Sequence, residues 1–218
     1  VIIGKSNMPE IANYVSTKMP GGYSSRGGQV IHAVKSGLDP LGSSTGSAVA
    51  VAAGIVPMAV GTDTSHSITA CAMGNGICGL KPPAGVLSQE GIIPISKTFD
   101  SAGAMAQNVS DTLKLYSAMR DEPLPEITQT PAGKLRISVN IANADMNPQE
   151  RRKYLDGVIE TLRNNGVVIS EVNQPPTPEL PSIMKREFGT GLEAYLIKSG
   201  AKLKTLKQIV EYYEAHPD

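Results

Sequence analysis

Cysteine is scarce. Cys71 and Cys78 are the only two thiols in 218 residues, so a reduced, cytoplasmic setting is the default. Neither sign of charge is in excess either: 20 basic and 20 acidic residues cancel, which leaves no electrostatic case for direct nucleic-acid binding or for an anionic membrane surface. No apolar run reaches roughly 18 residues, which removes a transmembrane helix from the sequence reading. His32, His66 and His216 stand far apart, so no metal-ligand spacing appears, and no cofactor is expected. The chain opens Val1-Ile2-Ile3-Gly4, without an initiator methionine or a signal-peptide pattern. What is present is length, with 40% hydrophobic residues, enough to bury a sizeable core as one domain or part of one.

The stretch around which the rest is organised runs from Gly42 to Ser67. Gly42-Ser43-Ser44-Thr45-Gly46-Ser47 is a turn of small residues, whose glycines allow backbone amides and hydroxyls to approach a partner closely. Ala48-Val49-Ala50-Val51-Ala52-Ala53 predicts a short, fully buried helix stopped by Gly54. A strand over Pro57-Met58-Ala59-Val60 then leads to a second polar turn, Gly61-Thr62-Asp63-Thr64-Ser65-His66-Ser67. A flexible linker would be followed by more polar sequence, whereas this turn runs straight into a hydrophobic helix. A phosphate loop fails as well, because no lysine follows the glycines. What remains is a rigid loop that presents hydroxyls and amides.

From Ser43 to Pro82 the chain resembles the amidase signature family. That family's pattern runs Gly-Gly-Ser-Ser-Gly-Gly-Ser, an alanine-rich helix, Gly-Thr-Asp-Thr-Gly-Gly-Ser-Ile-Arg, then Gly-Leu-Lys-Pro. Here the counterparts are Leu41-Gly42-Ser43-Ser44-Thr45-Gly46-Ser47, Gly61-Thr62-Asp63-Thr64-Ser65-His66-Ser67-Ile68-Thr69 and Gly79-Leu80-Lys81-Pro82, in register without a gap. Ser67 follows Ser43 by 24 positions (67 minus 43), the family's own spacing. The resemblance implies that Ser67 is a nucleophile and that Ser43, behind a cis peptide bond at Ser43 or Ser44, relays its proton to a lysine. The chemistry is coherent: a serine hydroxyl needs a neighbouring base, and a desolvated lysine serves because burial disfavours its charge. The backbone amides of Thr64, Ser65, His66 and Ser67 would supply the oxyanion hole. The two hydroxyls are expected to face each other directly or across one water.

The family's lysine belongs to a Val-Lys-Asp motif that has no counterpart here. Val1 to Glu10 resembles a segment well inside the family's full-length proteins, so the resemblance implies an internal fragment whose isolated chain is inactive. Such a piece is expected to expose apolar surface and to self-associate. Lys5 reads as a solvated loop lysine rather than the base. The fold implied is α/β, a mixed β-sheet core covered by helices on both faces, with residues 1–218 forming a single partial domain and a surface connection near 122–131.

The remaining chain reads as support. Residues 15–40 show little regular signal, with a turn-rich loop over Gly21 to Gln29 and no role assigned to Arg26 or His32. Ile77 to Leu80 and Ile92 to Ile95 predict short strands. Cys71 and Cys78 read as buried fillers, and Lys81 as structural. Asp100 to Ala106 resembles the family's Asp-x-x-Gly-Pro-Met-Ala except for its proline. A helix capped by Ser110 should bury Leu113, Tyr116 and Met119. Leu135 to Val139, a helix started by Asn147, Pro148 and Glu150, and Val167 to Ile169 form a predicted parallel β-α-β unit. Its helix should bury Tyr154, Leu155, Val158, Ile159 and Leu162 and stop at Gly166. Beyond Pro175-Pro176, amphipathic helices are expected near 181–198 and 205–215.

Three departures bear on function: Ser65 and His66 stand where the family has glycine, and Thr69 where it has arginine. If the turn demands positive φ at His66, the oxyanion hole is distorted at a cost of about 1 kcal/mol or more. Two classes therefore stay open. One is an amide hydrolase acting on a small carboxamide through a seryl acyl-enzyme, or the A-type component of a glutamyl-tRNA amidotransferase. The other is a catalytically dead member kept for binding. A Ser67–His66 pair is a poor alternative, because adjacent residues seldom aim their side chains at each other as general-base catalysis requires.

Overall fold

The computed structural model describes residues 1–16, 18–123, 129–140, 148–172 and 177–216. It is a mixed α/β structure. Tertiary contacts divide it into two compact units: residues 1–125 with 181–218, and residues 126–180. No described helix is long and apolar enough to cross a membrane.

In the first unit, β1 (Tyr23–Ser24) and β2 (Gly28–Gln29) form a small antiparallel pair inside the turn-rich loop. Helix α1 (Thr45–Ala52) follows, then β3 (Met58–Asp63), α2 (Thr69–Asn75), β4 (Cys78–Leu80), β5 (Ser101–Ala106) and α3 (Val109–Arg120). β5 is the middle strand of a three-stranded antiparallel sheet in the order β3-β5-β4, with Asp63 opposite Ser101 and Leu80 opposite Ala104. Small side chains let this sheet lie close against its cover. A Cβ on Gly103 of β5 would stand 2.1 Å from the Leu80 carbonyl oxygen and 2.7 Å from Ile68 Cδ1, so only glycine fits there. Ala48, Ile68, Cys71, Ala72 and Met105 form the buried cluster between sheet and helices, with Leu41 and Ile77 packed at its edge.

The first unit ends with α5 (Leu180–Lys198) and α6 (Leu206–Ala215). α6 opens with a full capping box: Thr205 Oγ1 accepts from the Gln208 amide at 3.2 Å while Gln208 Oε1 accepts from the Thr205 amide. The second unit contains β6 (Arg136–Asn140), α4 (Pro148–Asn164) and β7 (Val168–Val172), with β6 and β7 paired in parallel as the β-α-β pattern predicts. Gly166, at φ 84°, follows the helix as its stop.

Several expectations are corrected. No strand forms over Ile92 to Ile95, because the amides of Ile95 and Ser96 donate to Asp100 Oδ2 and Pro94 has none to give. α3 is capped by Asn108, whose side chain accepts from the Asp111 amide, and Ser110 lies inside its first turn. Leu113, Tyr116 and Met119 are half-buried. α1 is not fully buried: Val49, Ala50 and Ala52 are half-exposed and Ala53 is exposed. In α4, Ile159 is buried and Val158 is 40% exposed. Asn147, Pro175, Pro176 and residues 124–128, with the side chains of Glu150 and Tyr154, lie outside the described residues.

Candidate active site

The serine turn and the second polar turn are brought together by α1 and β3. Ser43, Ser44, Thr45, Gly46 and Ser47 are all buried. The Gly42–Ser43 peptide bond is cis, as the resemblance implies. α1 begins at Thr45, earlier than the alanine run suggests, so the turn's later residues already belong to its first turn. Ser44 Oγ donates to the Thr62 carbonyl at 2.9 Å and accepts from the Thr62 amide at 3.1 Å, while Ser47 Oγ donates to the Val60 carbonyl at 2.8 Å. Two hydroxyls thereby pin α1 onto β3. Gly46 is required for a different contact: a Cβ there would lie 2.3 Å from the Asn7 carbonyl oxygen, to which the Gly46 amide donates at 3.0 Å.

Ser67 closes the second turn and is half-buried, between exposed Ser65 and His66 on one side and buried Ile68 on the other. The turns meet through their backbones, the Ser44 amide donating to the Ser67 carbonyl at 3.2 Å. Ser43 Oγ is buried and makes no hydrogen bond, so it is not directly bonded to Ser67. The amides of Ser65, His66 and Ser67 donate to no acceptor among the described residues.

Two buried carboxylates shape the turn, and the motif pattern alone gave no role to either. Asp63, 1% exposed, accepts from the amides of Ile68 at 2.7 Å and Thr69 at 3.3 Å through Oδ2, satisfying donors at the start of α2. Asp100 Oδ1 accepts from Thr64 Oγ1 at 2.6 Å, while its other oxygen takes the amides of Ile95 and Ser96 at 2.9 and 3.0 Å. Both carboxylates sit inside the matched motifs. A signal was therefore available in the sequence, but which donors they would meet was not.

The remaining candidates resolve into supporting roles. His66 Nδ1 pairs with Ser65 Oγ at 2.9 Å, not with Ser67. Neither Ser65 nor His66 has positive φ, so the expected strain at His66 does not arise. Among the described residues, the left-handed non-glycine positions are Ile11, Ala12, Asn13, Leu41 and Asp121. His32 is buried, with Nε2 on the Gly74 carbonyl at 2.9 Å and Nδ1 accepting from the amides of Val34 and Lys35, an anchor for the loop before the serine turn. Lys81 Nζ donates to the Phe99 carbonyl at 3.2 Å, a structural contact, and Lys5 is exposed. Burial pushes the Cys71 thiol up to about 12, which keeps it protonated and inert, and Cys78 is half-buried. Among the described residues no three His, Cys, Asp or Glu side chains converge to hold a metal ion.

A family model described as Amidase matches residues 1–218. A protein of Arabidopsis thaliana named as a probable amidase is 32% identical over 98% of this chain and 46% of its own length. The A component of the glutamyl-tRNA(Gln) amidotransferase of Lactobacillus acidophilus is 32% identical over 97% of this chain and 47% of its own. The native peptide amidase from Stenotrophomonas maltophilia superposes with a TM-score of 0.85 at 33% identity, covering 100% of this chain and 49% of that one. The chain thus spans about half the length of the curated relatives it matches.

Proposed function

The chain belongs to the amidase family, and from that premise we propose that it supplies the nucleophile and oxyanion donors of an amide hydrolase acting on a small carboxamide in the cytoplasm. Ser67 attacks the carbonyl carbon, Ser43 takes the proton of Ser67, and a neutral lysine from elsewhere in the whole protein receives it. The amide nitrogen leaves with a proton and the acyl group stays on Ser67 until water releases it. The observation that carries this reading is the Ser67 turn itself: three amides without acceptors among the described residues beside a half-buried hydroxyl, packed against a turn that buries Ser43. Amides so placed stabilise negative charge as it develops on the carbonyl oxygen.

The test pairs the isolated chain with the whole protein. Without the lysine the relay has no end, and general-base assistance is worth roughly 100- to 10,000-fold. The whole protein should hydrolyse a small amide and lose that activity on Ser67→Ala, and a serine-directed phosphonate should label Ser67. A whole protein that keeps its rate after Ser67→Ala would refute the nucleophile. An isolated chain as fast as the whole protein would refute the missing base. The likeness to a glutamyl-tRNA(Gln) amidotransferase component supports a second reading, in which the same chemistry serves a multisubunit amidotransferase. Glutaminase activity that appears only with co-purified partner proteins would favour it.

A further inference from the structure

A continuous set of hydrogen bonds links α5 to the turn that holds Ser67. Glu187, half-buried on α5, accepts at Oε2 from Ser96 Oγ at 2.5 Å and from the Thr98 amide at 3.0 Å, and at Oε1 from Thr98 Oγ1 at 2.6 Å. These contacts fix one side of the loop between Ile95 and Asp100. From its other side Asp100 reaches back to the amides of Ile95 and Ser96, and its free oxygen takes the hydroxyl of Thr64, three residues before Ser67. Ser96, which touches both carboxylates, is 0% exposed.

We propose that Glu187 is a positioning residue for the Thr64 to Ser67 turn, acting through Ser96, Thr98 and Asp100. It touches no reacting atom in this scheme. Its carboxylate sets where the 95–100 loop lies, the loop sets where Asp100 presents its free oxygen, and Asp100 holds Thr64. Ser67 and its neighbouring amides need fixed geometry, because a misplacement of about 1 Å far from the chemistry is enough to cost about 100-fold. The catalytic part of the inference rests on the amide-hydrolase reading. The geometric part does not. Two carboxylates in series give Glu187 of α5, 120 positions beyond Ser67 (187 minus 67), a mechanical hold on the nucleophile turn relayed through the 95–100 loop.

The experiment compares wild type, Glu187→Ala, Glu187→Gln, Thr98→Val and Thr64→Val in the whole protein, first by amide hydrogen exchange and then by kinetics. Glu187→Ala should speed exchange in the 95–100 loop and also at Ile68 and Thr69, whose amides are protected by Asp63 beside the turn. A purely local role would raise exchange in the loop alone, and that result would overturn the proposal. Kinetically, Glu187→Ala should lower kcat about 10-fold or more with KM changed less than about 2-fold, and Thr98→Val should do the same to a smaller degree. Glu187→Gln keeps one acceptor oxygen and should fall between. Combining Glu187→Ala with Thr64→Val should cost little more than the worse single change, because both cut one route, whereas independent sites would add. Additive losses with wild-type exchange at Ile68 would sink the idea. The exchange arm needs no substrate, so absent labelling of Ser67 in wild type counts against the hydrolase reading alone.

Discussion

At the scale of single residues, the candidate site is built from side chains that direct their hydrogen bonds to backbone. Ser44 and Ser47 bridge α1 to β3, and Asp63 takes the amides that open α2. The Ser67 hydroxyl takes no part in this bonding to backbone among the described residues. Asp63 has the heaviest structural role, since removing it strands two buried or half-buried amides beside Ser67. Asp63→Ala should therefore destabilise the protein by about 2 kcal/mol, read as a lower urea midpoint at unchanged slope. A loss within about 0.5 kcal/mol of zero would mean that the Ile68 and Thr69 amides find water instead.

At the scale of elements, α1 and β3 act as a rigid spacer between two turns, and α5 holds the 95–100 loop through the Glu187 carboxylate while Lys198 at its end pairs with Glu90. Hydrogen bonds from Ser96 and Thr98 hold the Glu187 carboxyl at about 2, below its ordinary 4.5. A depressed carboxyl stabilises the fold fully above its unfolded value, and that contribution is lost as pH falls from 4.5 toward 2. The Thr98 amide resonance should accordingly titrate with a midpoint near 2 and stay flat above pH 4.5. A midpoint at the ordinary carboxyl value would show that α5 does not grip this loop in solution.

At the scale of the molecule, the two compact units differ in how their strands are protected. Among the described residues β5 is paired on both sides, while β6 and β7 make a two-stranded sheet paired on one side each. Amides of β5 should exchange slowest, and those of β6 and β7 faster by at least about 10-fold. Equal protection across both sheets would contradict this ordering. How much of this was legible beforehand follows from the range of the forces involved. The serine turns and the stop at Gly166 depend on neighbours a few positions away, and the parallel β-α-β unit follows from its strand-helix-strand pattern and the handedness of such crossovers, so the sequence by itself determined them. Family membership was legible for the same reason, since the matched motifs are local strings of residues in register. The strand expected at Ile92 to Ile95 failed because the Ile95 amide is claimed by the Asp100 carboxylate, the Ile92 amide by the Gln89 carbonyl, and Pro94 has none to give, in a turn whose closure no periodicity encodes. Ser110 lost its capping role to Asn108 by two positions, within the reach of local competition. Glu187 carried no signal at all: its partners lie 89 and 91 positions away, and a glutamate on an amphipathic helix reads as a solvated face. Tertiary structure alone decided which donors met Asp63, Asp100 and Glu187, because a buried carboxylate is defined by the groups that fold around it.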